Sequence, residues 1–134
     1  MSFTQQVFIR KNTPELREKL KVLGHQLCSC CNYHDGWLFT STSCDVHRVD
    51  EEEESEFLAD TEERTGEIID CGTNEDLFLA IAALRDDSDN MQWFTDGNGY
   101  WQQCIGNFRY PLLAKQKIYK ASVPELIEHF KDTL

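Results

Sequence analysis

Leu16, Leu20 and Leu23 fall at i, i+4 and i+7, the spacing of an amphipathic helix, and the apolar run 7–9 ahead of them reads as a strand feeding it. The same order recurs when 68–86 is set against 7–25. Leu77, Ile81 and Leu84 repeat the stripe, and Ile68 and Ile69 repeat the strand. Beyond the helices, CSCCNYHDGWLF (28–39) aligns with MQWFTDGNGYWQ (91–102). Each is an apolar run, a Gly/Asp/Asn turn and a second apolar run, which signals a hairpin. The closing stretch IYKASVPELIEHFK (118–131) aligns with FIRKNTPELREKLK (8–21) and shares its Pro, Glu, Leu, Glu and Lys.

Two of these helices carry their own start signals. Ser122 with Glu125 makes a capping box around Pro124, and Thr13-Pro14-Glu15 opens the first helix by similar means. The order is therefore βαββ (5–44), βαββ (66–104) and a partial βα (117–134) within a single domain, 1–134. An α+β fold follows, with a largely antiparallel sheet and three helices on one face, because hairpins pair locally and each helix has one apolar stripe to bury.

Charge interrupts the pattern. The chain has 134 residues and a net charge of −11. Eleven acidic residues against two arginines lie between Asp45 and Glu67. With four consecutive glutamates and little apolar periodicity, 45–67 reads as a solvated acidic loop or linker between the repeats, mobile and dispensable for folding over about 50–63. Basic residues gather at Arg10, Lys11, Arg17, Lys19 and Lys21, and again at Lys115, Lys117 and Lys120, without interleaved aromatics. The overall charge would repel a polyanion, so direct nucleic-acid binding is not expected. No apolar run approaches the roughly 20 residues of a membrane span, and the N-terminus lacks the basic start and apolar stretch of a secretory signal. A cytoplasmic protein with six free thiols and no membrane contact is expected.

The cysteine-rich CSCCNYH (28–34) poses a choice between metal, disulfide and packing. Cys28, Cys30 and Cys31 align with Met91, Trp93 and Phe94, which favours small buried hydrophobes on a strand. Redox chemistry lacks a C-x-x-C. Zinc is the alternative: Cys31, His34, Cys44 and His47 form two C-x-x-H units, a tetrahedral set of two thiolates and two imidazoles, although the second repeat keeps none of them. No cofactor is otherwise expected. The acidic turn residues around Asp86 and Asp96 lack the EF-hand order, and Gly97 and Gly99 lack the strand-to-helix context of a phosphate loop. His25 fits a helix end and His129 the body of the last helix, and Glu75 and Asp76 fit a helix's first turn, which leaves Asp70 without a catalytic partner. No catalytic residue is assigned, and the chain reads as a non-enzyme.

Aromatic density points elsewhere. Trp93, Phe94, Tyr100, Trp101, Phe108 and Tyr110 crowd one short region, and strand alternation sends Trp93 and Phe94, and likewise Tyr100 and Trp101, to opposite faces. One pair of rings should be at least partly exposed and open to a protein partner or to self-association. Glu51, Glu52, Glu53 and Glu54 are the companion surface, carboxylates arrayed where a nucleic acid would place phosphates. NEDLFLAIAALRDDSDNMQWFTDGNGYW together with YKASVPELIEHF resembles small uncharacterised proteins of gut-bacterial and phage genomes. That resemblance implies a phage- or mobile-element-encoded protein acting on a host protein, and it carries no site residue. The leading expectation is a non-enzymatic protein-interaction module. The alternatives are a small-molecule binder with an aromatic pocket between the repeats and a zinc-stabilised module.

Overall fold

The computed structural model describes residues 3–27, 36–42, 45–85, 91–104 and 118–131. Strand β1 (Gln6–Ile9) leads into helix α1 (Pro14–Leu23), followed by β2 (Gln26–Leu27), β3 (Trp37–Thr40) and β4 (Asp45–Val49). A 3-10 turn (Glu51–Glu53) opens α2 (Glu54–Thr65), and β5 (Ile68–Asp70) and α3 (Glu75–Ala82) come next. The chain continues with β6 (Trp93–Thr95), β7 (Trp101–Gln103), β8 (Tyr119–Lys120) and α4 (Val123–Phe130). These elements make a mixed α/β fold with two sheets, ordered β2-β4-β3-β1-β5 and β7-β6-β8. The pairings β1–β3, β3–β4, β6–β7 and β6–β8 are antiparallel, while β1–β5 and β2–β4 are parallel, so the sheets are largely antiparallel.

Helix starts follow their sequence signals. Leu16 N–H donates to Thr13 Oγ1 at 3.0 Å, Leu77 N–H donates to Asn74 Oδ1 at 3.0 Å, and Ser122 with Glu125 closes the capping box. Each satisfies a backbone donor that the first helical turn leaves open. Gly24 ends α1 with φ 109°, a left-handed conformation natural to glycine.

Alternation along β1, β3 and β4 gives the five-stranded sheet two apolar faces. Val7, Ile9, Leu38 and Val46 pack with Leu16 and Leu20 of α1 and with Phe78 and Ile81 of α3. Phe8, Phe39 and Val49 turn the other way, where Phe57 and Leu58 of α2 meet them, Phe57 edge-on to Phe39 at 5.2 Å. Of the three helices expected on one face of a single sheet, α1 and α3 pack there, α4 packs on α3 beside the second sheet, and a helix that was not expected, α2, covers the opposite face. A sheet with two apolar faces needs helices on both.

The acidic stretch read as a loop or linker, 45–67, is instead strand β4, a 3-10 turn and helix α2. Three residues account for the difference. Phe57, Leu58 and Thr61 supply a narrow stripe that packs inward, and the carboxylates line the remaining surface. Glu54 and Glu56 sit in the first turn and Arg64 in the last, each favourable to the helix dipole. Polar ties then lock the helix to the sheet. Arg10 at the end of β1 binds Glu54 at 2.6 Å and holds Asp70 through two contacts of 2.6 and 2.8 Å, while Trp37 Nε1 donates to Glu54 at 3.3 Å. Both carboxylates hold the Arg10 guanidinium above its ordinary pKa, the Asp70 hydrogen bond contributing most. Thr65 Oγ1 donates to Gln6 Oε1 at 2.9 Å, and Ile68 N–H, on the strand that ends the sheet, donates to Glu62 Oε2 at 3.2 Å.

The hairpin expected at 91–102 is present as β6–β7. Of the hairpin expected at 28–39, the first arm lies outside the described residues. Its second arm, β3, pairs with β1 and with β4. Among the described residues no helix is long and apolar enough to cross a membrane.

Two outcomes are expected. Phe57→Ala should lower folding stability by about 2 kcal/mol in urea denaturation, less than for a fully buried phenylalanine because Phe57 is only half-buried. An unchanged midpoint would mean that α2 is not part of the cooperative fold. Thr40 is fully buried with Oγ1 lacking a hydrogen-bond partner. Thr40→Val removes that hydroxyl at constant shape and should raise stability by about 1 kcal/mol, whereas a loss would reveal a partner for it.

Candidate functional site

Helices α1 and α3, strands β6 and β7 and the end of α4 converge on a cleft of about 500 Å³. Both helices reach it by the same spacing: α1 presents Lys19, Val22 and Leu23, and α3 presents Asp76, Leu79 and Ala80, i, i+3 and i+4 in each case. Met91, Trp93, Gln103 and Phe130 complete the wall. Val22 is 65% exposed, the most open of the large apolar side chains that are described as exposed, and it stands at this rim.

The aromatic wall is continuous. Trp93 meets Phe130 edge-on at 5.4 Å, Phe130 meets His129 at 4.7 Å, and His129 stacks on Trp101 at 3.9 Å and 13°. Cross-strand register explains the cluster: Trp93 faces Gln103 and Thr95 faces Trp101, so the two indoles share the side that α4 covers. Phe94 points to the opposite side, buried with Cys104 and Ile118, with Tyr100 half-buried against them. None of the four hairpin rings expected to meet a partner is fully exposed: Phe94 is buried, and Trp93, Tyr100 and Trp101 are intermediate.

Met91 stands at the cleft with φ 64°, a left-handed value that costs a non-glycine residue about 1 kcal/mol or more. Hydrogen bonds fix it on both sides: Met91 N–H donates to the Cys104 carbonyl at 2.6 Å, and Gln103 Nε2 donates to the Met91 carbonyl at 3.0 Å. Gln103 therefore shapes the cleft with its amide nitrogen.

Charge at the rim is balanced. Glu75 binds Lys11 at 2.8 Å and Lys19 at 2.9 Å. The Lys11 hydrogen bond, then the Lys19 one, hold the Glu75 carboxyl below its ordinary pKa, and Glu75 in turn raises that of Lys19. Asp76 adds to the Lys19 effect through space, and no hydrogen bond joins the two among the contacts described.

The other residues singled out in the sequence are dispersed. Cys31, His34 and Cys44 lie outside the described residues. His47 is exposed on β4 with its ring 5.9 Å from Phe39. Among the described residues no group of three His, Cys, Asp or Glu is placed to hold a metal. Glu51, Glu52 and Glu53 are exposed beside Arg48, which pairs with Asp50 at 2.5 Å, while Glu54 is drawn inward to Arg10. Asp70 is held by that same arginine. Burial, with a smaller push from Asp70, raises the Cys71 thiol to about 12, which leaves it neutral and unreactive at physiological pH. Of the cleft, sequence reasoning had found only Trp93. Val22 was the available signal, an apolar residue lying off the Leu16, Leu20, Leu23 stripe.

Comparison of the chain with family models, with curated proteins and with solved structures found no match.

A depressed carboxylate pKa means that Glu75 stabilises the fold above its unfolded pKa, near 4.5, and that this stability is lost as pH falls through the lower folded value. Glu75→Gln should therefore cost about 1 kcal/mol at neutral pH, kept small by the exposed lysines, with the difference from wild type shrinking below pH 4.5. Denaturation midpoints across pH 3 to 7 give the test. A difference independent of pH would show that the ion pairs contribute nothing.

Proposed function

We propose that this protein is a non-enzymatic binding protein that holds a compact, largely apolar small molecule in the cleft between α1, α3, β6, β7 and α4. One observation carries the reading: a cavity of about 500 Å³, within the usual range for small ligands, walled by Leu79, Met91, Trp93 and Phe130 with a few polar groups at its rim. Supporting it, the wall is pre-set. Met91 is held in a costly backbone conformation by two hydrogen bonds, and a pre-organised wall loses less entropy when a ligand arrives.

A protein partner is the second reading. It rests on Val22, Tyr119 and Ile127, exposed by 65%, 45% and 40%, and on the exposed Glu51, Glu52 and Glu53. The hairpin rings give it less support than the sequence suggested, since Phe94 is buried and Trp101 spends one face on His129. In this reading the partner would be a host protein met by a phage-encoded chain in the cytoplasm.

The discriminating experiment titrates indole and 2-naphthol into isotope-labelled protein. Shifts should concentrate on Leu79, Met91, Trp93 and Phe130. Val22→Glu, at an exposed position, should leave the melting temperature unchanged while weakening both probes by about tenfold. Shifts spread over other surfaces, or affinities indifferent to Val22→Glu, would overturn the small-molecule reading.

A further inference from the structure

Among its described lining residues the cleft carries one charge of each sign, Lys19 and Asp76, and the described contacts leave both with capacity to spare. Lys19 Nζ has three donors and its described ion pair is with Glu75 alone, at 2.9 Å. Glu75 is meanwhile held by Lys11 as well, at 2.8 Å, so it does not depend on Lys19. Asp76, one residue on along the same helix, is exposed and accepts no described hydrogen bond. Asp76 and Lys19 line the same cavity and interact through space without closing on each other. An ion pair left open beside an apolar wall is matched by a molecule that carries both charges next to an apolar body.

On the small-molecule reading above, we infer that the ligand is the zwitterion of an α-amino acid with an apolar or aromatic side chain. Asp76 receives the ammonium group, Lys19 receives the carboxylate, and the side chain lies against Trp93 and Phe130. Charge complementarity selects this class. A simple organic cation would gain from Asp76 and lose to Lys19, and a simple anion would gain from Lys19 and lose to Asp76. The zwitterion alone satisfies both signs. Salt affects it in a specific way: these contacts are exposed and screened, so they set specificity among ligands more than total affinity.

Calorimetry with L-phenylalanine, N-acetyl-L-phenylalanine and phenethylamine is the test, each against wild type, Asp76→Asn and Lys19→Gln. L-phenylalanine should bind wild type, and each analogue lacking one charge should bind at least about tenfold more weakly. Asp76→Asn should weaken L-phenylalanine by a similar factor yet not weaken N-acetyl-L-phenylalanine, which has no ammonium to lose and is relieved of a like charge. Lys19→Gln should do the same for the carboxylate, with phenethylamine not weakened. Equal binding of the three compounds, or binding insensitive to both substitutions, overturns the zwitterion while leaving the cleft reading intact. Indole binding without L-phenylalanine binding has the same meaning. Failure of indole and L-phenylalanine alike overturns both.

Discussion

Helix α3 is buried over most of its surface. Its sequence, EDLFLAIA, buries Leu77, Phe78, Ala80, Ile81 and Ala82, and it packs against β1, α1 and α4. An eight-residue helix cannot hold itself together in water, so its existence depends on being surrounded. That requirement ties the molecule together. One flank closes the face of the five-stranded sheet formed by Val7, Ile9 and Leu38, and the other meets the helix that covers the three-stranded sheet. Further ties lie just beyond its end: Thr4 N–H donates to the Leu84 carbonyl at 3.0 Å, and the His25 ring stands 2.8 Å from the Ala82 carbonyl. At its start, Asn74 Nδ2 donates to the Phe130 carbonyl at 2.6 Å, joining α3 to the last turn of α4.

The cleft is a by-product of that arrangement. Two helices, α1 and α4, pack on α3, and the gap between them is bordered by β6 and β7. Apolar side chains that would fill a single core are divided here between two sheets, which leaves Leu79 and Trp93 only half-covered. The cleft thus comes from the way the layers are joined, its described lining being supplied mainly by helices and strands.

How much of this was legible in the chain depended on whether the signal was local. The helix stripes of Leu16, Leu20, Leu23 and of Leu77, Ile81, the Ser122 capping box and the 91–102 hairpin are all set by neighbours in sequence, and all four are present, although Leu84, read as part of the second stripe, falls beyond the end of α3. Helix α2 was not legible, because only Phe57, Leu58 and Thr61 mark its inner stripe and four glutamates precede them. The residues it packs on and is tied to, Phe8, Phe39, Arg10 and Gln6, are far away along the chain. Strand β4 was hidden for a related reason: its two apolar residues, Val46 and Val49, serve opposite faces of the sheet and so break any period of two, and its partner β3 had been assigned a different hairpin mate. The cleft fared worst. Its residues come from five elements and their flanks, and no single element contributes more than three of them.

One detail bears on how such molecules behave in a crowd. Strand β5 is the outermost described strand of its sheet, and an outermost strand ordinarily offers spare backbone donors to any extended chain that drifts past. Here the Ile68 amide is already taken by the Glu62 carboxylate, reaching down from α2. The acidic helix is therefore also a guard rail. By occupying that donor with a fixed negative charge, it makes strand-by-strand polymerisation along this border cost both a hydrogen bond and a desolvated carboxylate, and so favours molecules that stay separate at high concentration.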